Sequence, residues 1–231
     1  MSEAALIVRR VAKYFGDFPA LRNVSFEVSS GEIVGLLGRN GAGKTTMLNM
    51  LAGLSKPSEG VIESPGFPPG DEARRAIGVV GHSQWLYDDL TAEENLSFFG
   101  KLYNVDDADD KIELWLERVG LTRFRNSLVN EYSRGMRQRL ALARAFLHEP
   151  RVLLLDEPWT ALDDRAMELL SSLVVEARER GVAAVVCSHQ LHEALKISDR
   201  VALLDRGKVV WQGPCDDGLR AAPESLYDRI S

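Results

Sequence analysis

The chain has 231 residues, 45% hydrophobic and 27% charged, which is ordinary for a folded globular protein and excludes a disordered or fibrous chain. Its 28 basic and 34 acidic residues give a net charge of -6, which argues against a dedicated nucleic-acid binder. No apolar run approaches the roughly 20 residues of a membrane-spanning helix, and two cysteines are too few for a disulfide framework, so we expect a reducing, cytosolic setting.

The first elements are predicted to be β-strands that form an antiparallel N-terminal region. Residues 6–8 are apolar, and in residues 24–28 apolar and polar side chains alternate, as in a half-exposed strand. Residues 33–37 form a continuous apolar run that Gly38 closes. Such a run is typical of a strand buried on both faces.

The stretch from about residue 91 to residue 147 has helical periodicity. Thr91 and Glu94 form a capping-box pattern at the start of the first helix. A second helix is predicted to end at Gly120, and a third to begin at Ser133. We therefore expect a helical lobe, at about residues 88–148, inserted into an α/β core.

The remainder of the chain predicts a parallel sheet covered by helices. Residues 152–155 and 182–187 are buried-strand patterns, and residues 166–177 between them have helical spacing. Strand, helix and strand in this order form a parallel unit. Residues 201–204 and 208–211 are predicted to pair as a hairpin, so the sheet is mixed.

The strongest local motif matches the pattern G-x-x-x-x-G-K-[ST] between a buried strand and a helix. It comprises Gly38, Arg39, Asn40, Gly41, Ala42, Gly43, Lys44, Thr45 and Thr46. Glycines let the backbone amides converge on phosphate oxygens, and the helix start adds a positive dipole. We expect Lys44 to reach the β- and γ-phosphates and the Thr45 hydroxyl to bind Mg²⁺. A glycine-rich turn without ligand is the alternative, but it gives no reason for the Lys-Thr pair.

Two acidic residues follow the apolar run 152–155. Asp156 and Glu157 lie at the carboxyl end of a predicted strand, where open α/β folds bind ligands. Asp156 is placed to support magnesium, and Glu157 to polarise a water molecule. Alternatively, both residues cap the next helix.

The start of the third helix carries cations. Arg134 and Arg137 follow Ser133, although the helix dipole disfavours positive charge there by about 0.3–1 kcal/mol. This arrangement indicates either a second anion site or a solvated basic helix face.

These motifs together resemble the nucleotide-binding subunit of an ATP-binding-cassette (ABC) transporter. Residues 38–45 match the family's Walker A loop, and residues 153–157 match Walker B with its catalytic glutamate. Gln84 is in the place of the Q-loop glutamine, residues 161–163 match the D-loop, and His189 matches the switch histidine. Ser133 and Gly135 stand in the signature position, and Phe15, with Tyr14 second, in the position of the aromatic residue that stacks on adenine.

The resemblance implies a P-loop NTPase core within one ATPase domain over residues 5–231, with ATP and Mg²⁺ as cofactors. It assigns catalysis to Glu157, His189 and Lys44, and magnesium to Thr45, Gln84 and Asp156. The expected nucleotide-binding residues are Phe15, the whole of the loop from Gly38 to Thr46, Gln84, Ser133 and Gly135.

The resemblance also implies partners. Two ATPase subunits, identical or different, pack head to tail around two ATP molecules and drive a separate transmembrane subunit from the inner face of the cell membrane. Residues 84–87 are expected to contact that subunit, because exposed aromatic side chains favour partner binding. The alternative is that these aromatic side chains pack into the helical lobe. No nucleic-acid partner is expected.

The signature departs from the commonest family pattern, Leu-Ser-Gly-Gly-Gln. Here residues 132–136 read Tyr-Ser-Arg-Gly-Met, which resembles small bacterial exporter ATPases, including the haem-exporter type of cytochrome c maturation. Two other classes stay open: a soluble ATPase of the same fold, and a regulatory module without turnover. The second class would usually lose Glu157 or His189, and both are present.

Overall fold

The computed structural model describes residues 3–67, 70–81 and 84–229. Residues 68–69, 82–83 and 230–231 of the predicted domain lie outside this part. The described strands, in chain order, are β1 (Ala4–Phe15), β2 (Phe18–Ser29), β3 (Ile33–Leu37), β4 (Glu59–Glu63), β5 (Ile77–Val80), β6 (Val152–Asp156), β7 (Ala183–Ser188), β8 (Arg200–Asp205) and β9 (Lys208–Pro214). The α-helices are α1 (Lys44–Leu51), α2 (Asp71–Arg75), α3 (Ala92–Tyr103), α4 (Ala108–Arg118), α5 (Arg134–Phe146), α6 (Asp164–Glu179), α7 (Leu191–Ile197) and α8 (Asp217–Ala221).

The described strands form two sheets. An antiparallel sheet has the order β2-β1-β4, and a mixed six-stranded sheet has the order β5-β6-β7-β3-β8-β9. Strands β3, β5, β6, β7 and β8 pair in parallel, and β9 returns antiparallel to β8. The prediction of an α/β fold with a mixed sheet and an antiparallel N-terminal region is therefore confirmed.

The large sheet separates two apolar cores. Every residue of β3, β6 and β7 is buried, as their unbroken apolar sequences predict. One core lies between this sheet, α1 and the antiparallel sheet, and the other between the sheet and helices α3 to α7. Both faces of the large sheet are covered, so ligands can reach it only at strand ends or edges.

Helices α3, α4 and α5 lie in the chain between β5 and β6, with no strand between them in the described residues. The capping box at the start of α3 is confirmed: the Glu94 amide donates to Thr91 Oγ1 at 3.2 Å, and the Thr91 amide to the Glu94 carboxylate at 2.8 Å. Ser133 is the N-cap of α5, as predicted. No helix in the described part of the chain is both long enough and apolar enough to cross a membrane.

The sheet topology gathers the predicted site. Strands β6, β7 and β3 are neighbours, and the loop after each begins at the same edge of the sheet. Asp156 ends β6, Ser188 ends β7, and Gly38 follows β3. Three segments that are distant in sequence therefore meet at one edge, where ligands of open α/β sheets bind.

A half-buried histidine packs α3 against the end of α5. The His148 ring stacks on Tyr103, with centroids 4.1 Å apart, and its Nε2 lies 3.3 Å from the Ile77 carbonyl oxygen. The buried Nδ1 atom has no hydrogen-bond partner among the described residues. Burial lowers the pKa of His148 to about 4, and the charge of Arg144 acts in the same direction.

This environment predicts a specific loss of stability in acid. Between the unfolded pKa near 6.5 and the folded value of about 4, the unfolded chain binds a proton at His148 that the folded chain does not. The contribution of neutral His148 to the free energy of unfolding is fully present above the unfolded pKa of 6.5. It decreases as the pH falls below that value, by up to about 1.4 kcal/mol per pH unit. Between pH 7 and pH 5, the free energy of unfolding measured with urea should decrease by about 2 kcal/mol more for the wild type than for His148→Phe.

The matched control is His192→Gln, a substitution of an exposed histidine on α7. This variant should keep the pH dependence of the wild type. Equal losses for the wild type and His148→Phe would contradict a neutral imidazole at His148 in the folded chain.

Candidate functional site

The glycine-rich loop forms a turn between β3 and α1. Gly41 and Gly43 have φ values of +81° and +106°, which favour glycine. Lys44 is only 7% exposed, and its Nζ donates to the carbonyl oxygens of Gly38 at 2.8 Å and Arg39 at 3.3 Å. The lysine ammonium is therefore held beneath the loop, within reach of an anion bound there.

The two glycines are required for different reasons. A Cβ atom at Gly43 would lie 2.7 Å from the Leu21 side chain and 2.9 Å from the Ala20 carbonyl oxygen, whereas one at Gly41 would meet no described atom within 4 Å. Gly43 is thus required by packing against β2 as well as by its dihedral angle. Gly41 is free of that packing constraint.

A hydroxyl and a carboxylate meet beside the loop. Thr45 Oγ1 donates to Asp156 Oδ2 at 2.7 Å, and Asp156 is 4% exposed. The described residues contain no cluster of three or more histidine, cysteine, aspartate or glutamate side chains that could hold a metal ion. Two hard oxygen donors beside a phosphate site nevertheless fit Mg²⁺, which takes few protein ligands and completes its shell with phosphate and water oxygens.

The Glu157 carboxylate lies at the centre of the site. It accepts hydrogen bonds from the Ser188 hydroxyl at 3.0 Å and the His189 amide at 3.1 Å. One oxygen, Oε1, is 2.8 Å from His189 Nδ1 and 3.8 Å from Lys44 Nζ. The structure thus joins Lys44, Glu157 and His189, the three residues predicted to be catalytic, in one contact network.

These residues line a cavity of about 500 Å³. Phe15 lies in its wall and is 57% exposed, while Tyr14, the second choice for adenine, lines a different depression. The complete lining is Phe15, Phe18, Ala20, Asn40, Gly41, Gly43, Lys44, Thr45, Thr46, Glu157, Thr160 and His189. A larger cleft, of about 690 Å³ around Trp115 and Arg151, contains none of the predicted site residues.

Sequence reasoning missed three side chains near the loop. Phe18 is 68% exposed in the same cavity wall as Phe15, and the Ser188 hydroxyl binds Glu157. The Tyr227 ring lies 5.3 Å from the Arg39 guanidinium. Burial raises the pKa of Tyr227, and the nearby carboxylates of Glu224 and Glu157 act in the same direction. Only the position of Ser188, beside His189 at the end of an apolar run, gave a signal in the sequence.

Gln84 is held away from this cavity. Its Nε2 donates to Gln138 Oε1 on α5 at 3.0 Å, and its Oε1 accepts from Arg137 Nε at 3.4 Å. The structure therefore does not bring Gln84 to Thr45 and Asp156, the other two predicted magnesium ligands.

Ser133 and Gly135 also lie apart from the cavity, at the start of α5. The exposed Ser133 hydroxyl accepts from the Met136 amide at 3.2 Å. A Cβ atom at Gly135 would lie 3.1 Å from the Ala161 carbonyl oxygen, so the signature packs closely on the loop after β6. Neither Ser133 nor Gly135 is among the residues that line the cavity.

The arginine side chains near the start of α5 make different contacts. Arg137 forms an ion pair with Asp88, and Arg139 donates to the Val119 carbonyl oxygen at 2.8 Å. Arg134 is exposed. The expectation of several arginines around an anion site is therefore corrected, because Arg137 and Arg139 are engaged within the chain and only Arg134 remains for that role.

Known proteins share this architecture. The sequence model described as "ABC transporter" matches residues 21–160. The ABC transporter ATP-binding protein NatA of Bacillus subtilis is 39% identical over 215 residues, covering 90% of this chain and 84% of NatA. A solved ATP-binding subunit of an ABC transporter superimposes with a TM-score of 0.90 at 30% identity, covering 98% of this chain and 100% of that one. The dimeric post-hydrolysis structure of the cassette MJ0796, bound to ADP and Pi, gives 0.80 at 30% identity, covering 91% and 99%.

The surroundings of the two loop glycines predict unequal costs of a methyl group. Gly43→Ala should lower the free energy of unfolding by roughly 3 kcal/mol, since its Cβ overlaps β2. Gly41→Ala should lower it by about 1 kcal/mol, the cost of a left-handed residue alone. Urea unfolding without nucleotide measures both values, and equal costs would refute the packing role of Gly43.

Proposed function

This chain belongs to the ABC transporter family as an ATP-binding subunit with ATPase activity, and from that premise we propose that it powers a membrane exporter. In this proposal, residues 5–231 form one ATPase domain that binds ATP and Mg²⁺, pairs with a second ATPase subunit and drives a separate transmembrane subunit. The transported molecule is haem or another small molecule. The observation that carries the catalytic part is the network of Lys44, Glu157 and His189 in one cavity beside the phosphate loop.

Each catalytic side chain has a role that follows from its position. The loop amides and Lys44 bind the phosphates, and the Lys44 ammonium offsets the charge that develops on the γ-phosphate and the leaving group. The Glu157 carboxylate orients a water molecule for in-line attack on the γ-phosphorus and accepts its proton. His189, whose Nδ1 lies 2.8 Å from Glu157, keeps that carboxylate facing the cavity.

Thr45 and Asp156 hold magnesium in this proposal. Held there, the ion would neutralise phosphate charge, and the Thr45 and Asp156 oxygens would keep it beside the loop. Gln84, which donates to Gln138 in this structure, would join the set after leaving Gln138. Phe15 stacks on adenine, and Phe18 extends the same aromatic wall.

Dimerisation explains why the signature lies outside the cavity. Ser133, Gly135 and the exposed Arg134 contact the γ-phosphate bound by the partner subunit, not their own chain's nucleotide. The dimeric state of MJ0796 with ADP and Pi supports this arrangement. The second subunit is a copy of this chain or a paired ATPase.

We propose that the transmembrane subunit contacts residues 84–87 and the adjoining face of α3. Trp85 and Tyr87 are 41% and 48% exposed, and Phe98 and Leu102 on α3 are 41% and 53% exposed. The Tyr87 and Phe98 rings touch, with centroids 4.9 Å apart. The Tyr87 ring therefore packs on the α3 helix, and the Trp85 ring lies against Arg144 on α5. Both side chains still present apolar surface, which favours a partner. The protein is then peripheral on the cytoplasmic face of the cell membrane.

The catalytic role of Glu157 predicts an ATP-trapped dimer. Glu157→Gln should retain ATP affinity but lower kcat at least about 100-fold, since it removes the general base. Phosphate release measures kcat, and analytical ultracentrifugation with ATP measures the dimer. Glu176→Gln, at a carboxylate that pairs with Arg118 on α4, is the control and should turn over normally. Near-normal turnover by Glu157→Gln would remove the assignment.

The transporter proposal predicts membrane binding through Tyr87. The wild-type chain should sediment with membranes of cells that express its transmembrane subunit. Tyr87→Ser should reduce the bound fraction about five- to tenfold, the effect of losing a central interface side chain. Val61→Ser, at an exposed residue of β4, is the control and should bind as the wild type does. If the wild type stays in the supernatant, the chain is instead a soluble ABC ATPase.

A further inference from the structure

The buried side-chain amide of Gln138 contacts both Gln84 and the loop that follows β6. Gln138 is 6% exposed on α5. Its Nε2 donates to the Pro158 carbonyl oxygen at 3.0 Å, and its Oε1 accepts from Gln84 Nε2 at 3.0 Å. Because an amide has distinct donor and acceptor ends, these two contacts fix a single orientation of the Gln138 side chain.

The Pro158 contact acts on the residue that carries the proposed base. Glu157 has a φ of +49°, a strained value for a side chain other than glycine, so its backbone must be held by its surroundings. The Glu157 amide donates to the Cys187 carbonyl oxygen at 2.8 Å on one side. On the other side Pro158 has no amide hydrogen to donate. The Pro158 carbonyl oxygen, bound by Gln138, anchors the Pro158–Trp159 peptide to α5, while the Glu157 carbonyl oxygen accepts from the Thr160 amide at 3.1 Å.

Helix α5 also contacts residues 84–87 through Arg144. Arg144 donates to the Trp85 carbonyl oxygen at 3.4 Å, and its guanidinium lies 5.4 Å from the Trp85 ring centroid. Arg144 has no carboxylate partner among the residues described, and burial lowers its pKa to about 10. Trp85 itself has a φ of +47°. Together with Gln138 and Arg137, which both bind the Gln84 side chain, Arg144 sets the position of this segment from a single helix.

We propose that Gln138 is a positioning residue that transmits the position of Gln84 to Glu157 through the Pro158 carbonyl. While Gln84 donates to Gln138, the amide is polarised and its hydrogen bond to Pro158 is strengthened. When Gln84 leaves, Gln138 loses one of the two contacts that orient it, and the Pro158–Trp159 peptide beside Glu157 is held less firmly. Movement of residues 84–87 therefore changes turnover rather than ATP affinity. The proposal rests on the proposed role of Glu157 only for its effect on rate.

A spectroscopic experiment tests the link without nucleotide. Pro158-Trp159 is the only Pro-Trp pair in the sequence. Labelling proline carbonyl carbon with ¹³C and tryptophan nitrogen with ¹⁵N therefore gives one signal from the peptide that Gln138 binds. Gln84→Ala should move this signal in the wild-type background. In the Gln138→Met background, Gln84→Ala should leave it in place.

Turnover provides the second readout. Gln138→Met should lower kcat between roughly tenfold and a hundredfold, as displacement of a catalytic group does. The KM for ATP should stay within about twofold of the wild type, because no nucleotide contact is lost. Leu142→Met, a substitution of a buried apolar residue on the same helix, is the control for repacking of α5 and should leave both values unchanged.

Several results would overturn the proposal. It fails if Gln84→Ala does not move the Pro158-Trp159 signal, a test that does not require Gln138→Met to fold. It also fails if Gln84→Ala moves the signal equally in both backgrounds, or if Gln138→Met raises KM and leaves kcat unchanged. A wild-type chain without ATP turnover would refute the proposed function instead, and the signal would still decide whether the link exists.

Discussion

The parallel pairing of β6, β7 and β3 is the constraint on which the rest of the structure depends. It aligns Asp156, Ser188 and the start of the phosphate loop at one edge, although they are separated by up to 150 residues in the chain. Three consecutive buried strands can hold this alignment because both sheet faces are covered by apolar cores. The contacts among Lys44, Glu157 and His189 follow from that alignment.

Two residues with a strained backbone follow the strand β6 at this edge, and a third lies in the segment that α5 contacts. Glu157 and Ala161 follow β6 with φ values of +49° and +66°, and Trp85 lies in the segment that α5 holds with a φ of +47°. Each such residue costs about 1–3 kcal/mol and persists only where its surroundings determine it. Strain here is consistent with loops that must change position during a cycle of nucleotide binding and release.

Helix α5 connects these strained segments. Its start carries Ser133, its second turn carries Gln138 between Gln84 and Pro158, and its last turn carries Arg144 beneath Trp85. A helix moves as one body, so contacts about two turns apart cannot change independently. Helix α5 therefore connects two segments within one chain. One is the signature, which we propose faces the partner subunit, and the other is residues 84–87, which we propose face the membrane subunit.

The sequence by itself determined the strands, the helix caps and the phosphate loop, because the periodicity of buried residues and local capping chemistry act over a few residues. Apolar runs predicted β3 and β6, and Thr91 and Ser133 marked where α3 and α5 begin. Only the tertiary structure decided that Gln84 donates to Gln138, that Arg137 forms an ion pair with Asp88, and that Ser188 donates to Glu157. These contacts join residues 31 to 54 positions apart, and their geometry depends on how helices pack on the sheet, which no local pattern encodes.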